Sequence, residues 1–267
     1  MARRARRAAE DGTFAREIVP FAQAERGAVL AHDEQIARAD IERLRQLPPA
    51  FKPDGTITAA TASGFCDGAA AVLLMRAGEA TARGIAPLAR IVAHATHSQA
   101  PEWFTTAPVD AIRKLAAKAG WSLDEVDLFE VNEALAVVPL AVMQDLGLPH
   151  DKLNVNGGAC ALGHPIGCSG ARIIVTLLAA LKARGLKRGV ASLVVVTTAF
   201  VTLARAQASS LGHAGLPIAV GAAHAQKLQG KPAITVCFFG DGAINRGPSL
   251  ESLNWARIHE LPVLFVC

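Results

Sequence analysis

Apolar positions along the chain switch repeatedly between a helical period and short β-like runs. Residues 3–17 and 33–47 carry the helical period, and Pro48-Pro49 stops the second of these, because proline donates no backbone hydrogen bond and disfavours helix in the residue before it. In TITAATASGFCDGAAAVLLM, residues 56–75, Gly64 and Gly68 punctuate a turn, and the apolar run 69–75 fits a buried strand or a packed helix equally. A new unit opens near Gly84. Residues 88–93 read as a strand, and residues 108–119 as an amphipathic helix with Ile112, Leu115, Ala116 and Ala119 on one face, Pro108 in its first turn and Gly120 at its C-cap.

Residues 127–148 then predict a strand, a polar elbow and a helix that Pro139 either kinks or begins. Residues 154–156 close another strand and lead into a glycine loop. Residues 170–184 follow as a helix with Ile174, Leu177, Leu178 and Leu181 toward the core, Ser169 as N-cap and Gly185 as C-cap, before a β-rich run at 190–196. From Gly215 the pattern restarts as helix 217–229, strand 234–239, a GDG turn, helix 248–259 and strand 263–266. Strand and helix alternate, so an α/β layered fold is predicted, with residues 197–210 as the seam between its two parts.

Composition supports layers of helix on sheet: apolar residues make up 51% of 267 residues, while aromatics are 5% and tyrosine is absent, which favours close packing of small side chains. The net charge of +4 is spread among acidic residues and forms no stripe for nucleic acid. Arg3, Arg4, Arg6 and Arg7 are followed at once by Glu10 and Asp11 and read as a solvated helix face. Five irregularly spaced cysteines fit a reducing cytoplasm, and the longest apolar stretch, residues 190–204, is too short and too rich in hydroxyls to predict a membrane span.

The glycine loop carries the densest chemistry. NGGACALGHPIGCSG, residues 156–170, sets His164 among Gly157, Gly158, Gly163 and Gly167 at the start of a helix, where a backbone and a cofactor can approach closely and the helix dipole is positive. Taken alone, the loop fits a hydrogen-bond donor for a developing oxyanion or a packed structural histidine. Cys160, His164 and Cys168 have helix-face spacing, yet they fall in a loop and no fourth ligand is evident, so no zinc site is predicted.

With VNEALA at 131–136, TAATASGFCDGAAA at 58–71, RRAAEDGTFAREIVPF near the N-terminus, GIAPLARIV and LPHDKLNVNGG, this loop resembles the thiolases, acetyl-CoA acetyltransferases and 3-ketoacyl-CoA thiolases, over residues 3–193. The resemblance implies a thiolase-like layered αβα domain and condensation or thiolysis of a 3-ketoacyl-CoA, with coenzyme A as substrate. It pairs Asn132 with His164 as catalytic residues around the thioester oxygen. It also places Ser63 along the pantetheine arm and Gly157, Gly158 and Gly163 in the coenzyme A loop. A homo-oligomer is implied too, with its dimer contacts in the half of the fold expected to be missing here.

Departures from the family matter equally. The nucleophilic cysteine of thiolases belongs to the N-terminal half, and this chain is expected to begin after it. A second cysteine heads a CxGGG run where residues 194–197 read VVVT. Leu135 stands in place of a phenylalanine, Thr61 of an asparagine and Pro48 of an arginine, and nothing near Cys66 in sequence would activate its thiol.

A second likeness covers residues 214–267, where CFFGDGAINRGP at 237–248 resembles the alpha subunits of thiamine-diphosphate-dependent 2-oxo-acid dehydrogenases. It implies Asp241 as a Mg²⁺ ligand and Gly240 and Gly242 at the diphosphate of thiamine diphosphate, in a site whose remaining ligands are expected beyond Cys267. The expected organisation is a remnant of a thiolase N-terminal domain at 1–80, a thiolase C-terminal domain at 81–196, a seam at 197–213 and an incomplete thiamine-diphosphate-binding α/β fragment at 214–267. Three functions follow: an acyl-CoA C-acyltransferase that is catalytically incomplete, a dehydrogenase component, or a non-catalytic fusion.

Overall fold

The computed structural model describes residues 1–23, 27–195, 198–206, 234–238 and 263–266. In chain order the elements are α1 (Ala2–Glu10), β1 (Phe21–Gln23), β2 (Ala28–Leu30), α2 (Glu34–Arg38), β3 (Ala71–Leu74), α3 (Ala77–Ala82), β4 (Ala89–Ser98), α4 (Ala107–Ala119), β5 (Leu128–Val131), α5 (Val137–Leu146), α6 (Ala159–Leu162), α7 (Ile166–Arg184), β6 (Arg188–Val195), β7 (Thr198–Ala206), β8 (Ile234–Phe238) and β9 (Val263–Val266).

The main sheet has the order β4-β7-β6-β5, with β5 and β6 parallel and the other pairs antiparallel. A parallel pair needs a crossover, and α5, α6 and α7 provide it. Alternation along the strands divides the core. Phe129 and Val131 of β5 and Val190 and Val194 of β6 pack with Ile112 and Leu115 of α4 and Val138 and Val142 of α5 on one face. Leu128 and Ala191 pack with Ile173, Leu177 and Leu181 of α7 on the other. The result is the αβα layering that the strand–helix alternation predicts. Helix α7 is long and apolar enough to cross a membrane by length and composition, but its apolar face packs into this core.

Several local readings hold. Pro108 sits in the first turn of α4, and Gly120 and Gly185 cap α4 and α7 in the left-handed conformation. Pro139 lies in the first turn of α5 and so marks its start. Within the run at 69–75 a strand forms at Ala71–Leu74, β3, but it is not buried, since Leu73 and Leu74 are exposed.

Others are corrected. The pattern at 33–47 yields only the five-residue α2 and a 3₁₀ turn at Arg43–Gln46, because only Ile36 among these residues finds a buried seat. No strand forms at 154–156: Leu153 makes an isolated bridge to Phe129, and the Asn154 side chain takes over the pairing beyond it. Helix α7 starts three residues before Ser169, so Ser169 is inside its first turn and Pro165 is the N-cap. Residues 198–206, within the expected seam, form β7 at the middle of the main sheet. Arg4 and Arg6 are not simply solvated: they are half-buried, Arg4 donates to the carbonyl of Leu153 at 2.8 Å and Arg6 to that of Ala39 at 2.6 Å, while Arg3 and Arg7 stay exposed.

Of the C-terminal segment, β8 and β9 are described. They extend a second sheet in the order β3-β8-β9, with β3 and β8 antiparallel and β8 and β9 parallel. The expected helices at 217–229 and 248–259, and Gly240, Asp241 and Gly242, lie outside the described residues.

Candidate functional site

Asn132 follows directly on β5, where its amide N–H still donates to the Ser192 carbonyl at 2.8 Å and ends the parallel ladder. Ligands of open α/β sheets gather at the carboxyl ends of parallel strands, and the glycine loop arrives at this end. His164 lies between α6 and α7, its backbone N–H donating to the Gly64 carbonyl at 2.8 Å, with Phe65 bridged to it. The Asn132 carboxamide nitrogen is 3.2 Å from His164 Nε2, and His164 Nδ1 is 2.6 Å from the Ser169 hydroxyl. Burial, aided by the Arg172 guanidinium, lowers the His164 pKa and favours the neutral ring.

The segment around Ser63 lies alongside both. Ser63 donates from its backbone N–H and from Oγ, at 3.2 and 3.1 Å, to the Ala134 carbonyl, and Ala136 N–H donates to the Thr61 carbonyl at 2.8 Å. Thr61, in the place of the family's asparagine, closes its own turn by accepting the Thr58 N–H at 2.8 Å. Leu135 is bridged to Ala62. The structure therefore brings Asn132, His164 and the segment bearing Ser63 together.

The glycines have a different surrounding from the one the sequence suggests. A Cβ on Gly158 would run into the Glu133 carboxyl, one on Gly157 would lie 2.6 Å from the Ala5 methyl, and one on Gly163 would lie 2.5 Å from Cys66 Sγ. All three approach other parts of this chain and shape the loop from within.

Four residues to which the sequence pattern gives no part in the site organise it. The Glu133 carboxylate, fully buried, accepts Asn154 Nδ2–H at 2.8 Å and the Cys160 N–H at 3.0 Å. Asn154, also fully buried and at φ 45°, accepts the Val131 N–H at 2.7 Å and donates to the Val131 carbonyl at 2.8 Å. Ser169 supports His164. Arg172 presents its charge to Glu17, Glu130, Asp33 and His164.

Burial raises the Glu130 carboxyl to about 8 against the pull of Arg172, and among the described residues its Oε1 has no hydrogen-bond partner. Nor do Asn132 Oδ1, Ser192 Oγ, or Nε and one terminal nitrogen of Arg172. A polar seam between β5 and α7 thus leads toward Asn132 and His164. The thiols are held protonated: burial, then Glu133, pushes Cys160 far up, and burial with Asp33 and Asp67 raises Cys66. Among the described residues no three His, Cys, Asp or Glu side chains converge to hold a metal ion. In a hollow at the opposite end of β5 and β6, lined by Glu125, Asp127, Lys187 and Arg188, Arg188 pairs with Glu125 at 2.6 Å and the Asp127 carboxylate accepts two backbone N–H groups.

An αβα protein with an Asn–His pair at the strand ends and a glycine loop beneath it is the class that fold and site define. Residues 2–78 match the family model "Thiolase, N-terminal domain" and residues 85–204 the model "Thiolase, C-terminal domain". The chain belongs to the thiolase family over that region. It is 48% identical over 193 residues to the acetyl-CoA acetyltransferase of Rhizobium meliloti (strain 1021), covering 71% of this chain and 49% of that one. It is 47% identical over 195 residues to the cytosolic acetyl-CoA acetyltransferase of Mus musculus, again covering 71% and 49%.

Among solved structures, the Bacillus anthracis acetyl-CoA acetyltransferase superposes with a TM-score of 0.74 at 44% identity, covering 77% of this chain and 53% of that one. The human mitochondrial 3-ketoacyl-CoA thiolase in complex with CoA gives 0.73 at 39% identity, covering 77% and 52%. The chain spans about half the length of the curated relatives it matches. Residues 201–267 match a third family model, "Dehydrogenase E1 component".

Proposed function

We propose that residues 2–204 form an acyl-CoA thioester site of thiolase type, in which Asn132 and His164 address the thioester oxygen and Ser63 lies beside the pantetheine arm. The observation that carries this reading is the 3.2 Å approach of Asn132 to His164, across 32 positions of sequence, at the carboxyl end of β5. The Asn132 carboxamide, fixed in a buried position, costs little reorganisation when charge develops on a carbonyl oxygen, and His164 joins it as a donor once Nε2 carries a proton, which is how such a pair assists acyl transfer. Gly157, Gly158 and Gly163 contribute by holding the loop in shape for coenzyme A. CoA-bound thiolases among the similar structures support the choice of ligand.

We further propose that the chain is catalytically incomplete as an acyl-CoA C-acyltransferase. Acyl transfer through an enzyme thioester needs a thiolate. Burial and acidic neighbours oppose that form at Cys66 and Cys160, and residues 194–197 read VVVT where the family carries its second cysteine. Calorimetry with acetoacetyl-CoA and with CoA tests the site: binding of the acyl-CoA is expected, and no heat from either ligand would overturn it. The enolate absorbance of acetoacetyl-CoA with CoA is expected to stay constant beside an active thiolase control, and its loss would overturn incompleteness.

The match of residues 201–267 supports a second reading, a component of a thiamine-diphosphate-dependent dehydrogenase with Asp241 toward Mg²⁺ and Gly240 and Gly242 toward the diphosphate. Magnesium-dependent uptake of thiamine diphosphate in calorimetry would bear it out, and no uptake would end it.

A further inference from the structure

We infer that Ser169 is a positioning residue that sets the tautomer of His164, taking the Nδ1 proton on its hydroxyl oxygen and leaving Nε2 bare toward Asn132. Ser169 is fully buried in the first turn of α7, so no solvent competes for its hydroxyl. That hydroxyl has one proton to give. It lies 3.1 Å from the Pro165 carbonyl oxygen, four residues back, and 2.6 Å from His164 Nδ1.

A carbonyl accepts only, so with the hydroxyl proton toward Pro165, the direction we infer, the rest of the chain of bonds follows. The Ser169 O–H donates to Pro165, the His164 Nδ1–H donates to Ser169, and the Asn132 Nδ2–H donates to His164 Nε2 at 3.2 Å. Pro165 O also receives the N–H groups of Cys168 and Ser169, at 2.8 and 2.9 Å. The opposite direction would nonetheless leave two bare oxygens facing each other at 3.1 Å with no proton between them. Burial and the positive Arg172 nearby disfavour a second proton on the ring. A neutral ring with its proton at Nδ1 has none at Nε2.

The chemical meaning of this order rests on the acyl-CoA reading, whereas the order itself does not. Before acyl-CoA binds, His164 presents a proton acceptor at Nε2. It becomes a donor to a thioester oxygen only after gaining a proton there, and Asn132 supplies the N–H available before that.

Long-range proton–nitrogen correlation spectra of the full chain with ¹⁵N-histidine, at neutral pH and without CoA, read the tautomer directly, with His164→Gln identifying the resonance. The wild type is expected to show Nδ1 protonated and Nε2 bare. Ser169→Ala is expected to lose that preference and move toward the Nε2-protonated form that free imidazole favours, and Ser169→Thr to restore it. A wild-type ring protonated at Nε2 overturns the inference without any variant, as does a folded Ser169→Ala protein with unchanged resonances. A chain that binds no acyl-CoA would overturn the proposed function and leave this measurement standing.

Discussion

Any side chain at Gly158 would place its Cβ closer than 3.0 Å to the carboxyl group of Glu133. That carboxylate is fully buried and held by Asn154 and the Cys160 amide, so moving aside breaks those hydrogen bonds. Gly158→Ala is expected to destabilise the chain by about 3 kcal/mol, the upper end of an overpacked core substitution. Gly78→Ala is its control: exposed in α3 with open space around it, it should gain roughly 0.5–1 kcal/mol. Urea unfolding of both variants checks this, and similar effects would contradict the assignment of Gly158 to internal packing.

Asn154 replaces a missing strand neighbour for β5. Its carboxamide pairs both backbone groups of Val131 and one oxygen of Glu133. Asn154→Ala strands an amide, a carbonyl and half of a buried carboxylate, at about 1–3 kcal/mol for each unsatisfied group. A loss of about 3 kcal/mol or more is expected in the same urea assay, and a loss under about 1 kcal/mol would show that water takes over these bonds.

Glu130 and Glu17 make stability depend on pH. In the folded chain burial raises them to about 8 and about 7 from 4.5, against the Arg172 charge that faces both; Glu133 and Glu17 add to the rise at Glu130, and Asp33 to that at Glu17. Between the unfolded and folded values the folded state binds more protons. This contribution is therefore complete below the unfolded pKa and is lost as pH rises through 7 and 8, by up to about 1.4 kcal/mol per pH unit per group. Glu130→Gln cannot ionise, so its advantage over wild type should grow from pH 5 to pH 9 in urea titrations. Parallel curves would place the proton elsewhere.

Asn132 offers the bare ring its nearest donor. Asn132→Ala is expected to weaken acetoacetyl-CoA binding by about five- to 150-fold, corresponding to about 1–3 kcal/mol for a lost polar partner, while free CoA binds as before. Calorimetry with the two ligands checks this, and an equal loss for both would assign Asn132 to the pantetheine arm instead of the acyl group.

Where short-range order decides, the sequence pattern and the structure agree. Helices α4 and α7 carry an apolar stripe, a first-turn proline or a following glycine, and strands β5 and β6 alternate their buried side chains between two helix layers. The polar network escapes such a reading. Asn154 meets Glu133 over 21 positions and Asn132 meets His164 over 32, and no periodicity encodes which buried polar groups will face each other. Ser169 illustrates the difference: a serine before an apolar helical run has the composition of an N-cap, yet α7 begins earlier and the hydroxyl turns to His164. Likewise β4 runs to Ser98, past the apolar residues that predict it, because an edge strand with polar positions carries little hydrophobic signal.

Local composition thus determined the α/β layering, the glycine C-caps and the motifs that place the chain among thiolases, since those depend on residues within a few positions of one another. Only folding decided that residues 198–206 enter the main sheet and that the loop glycines press on Ala5, Glu133 and Cys66. It alone turned His164 between Asn132 and Ser169. Strand register and hydrogen-bond direction are settled by partners distant in the chain, and a linear pattern does not contain their positions.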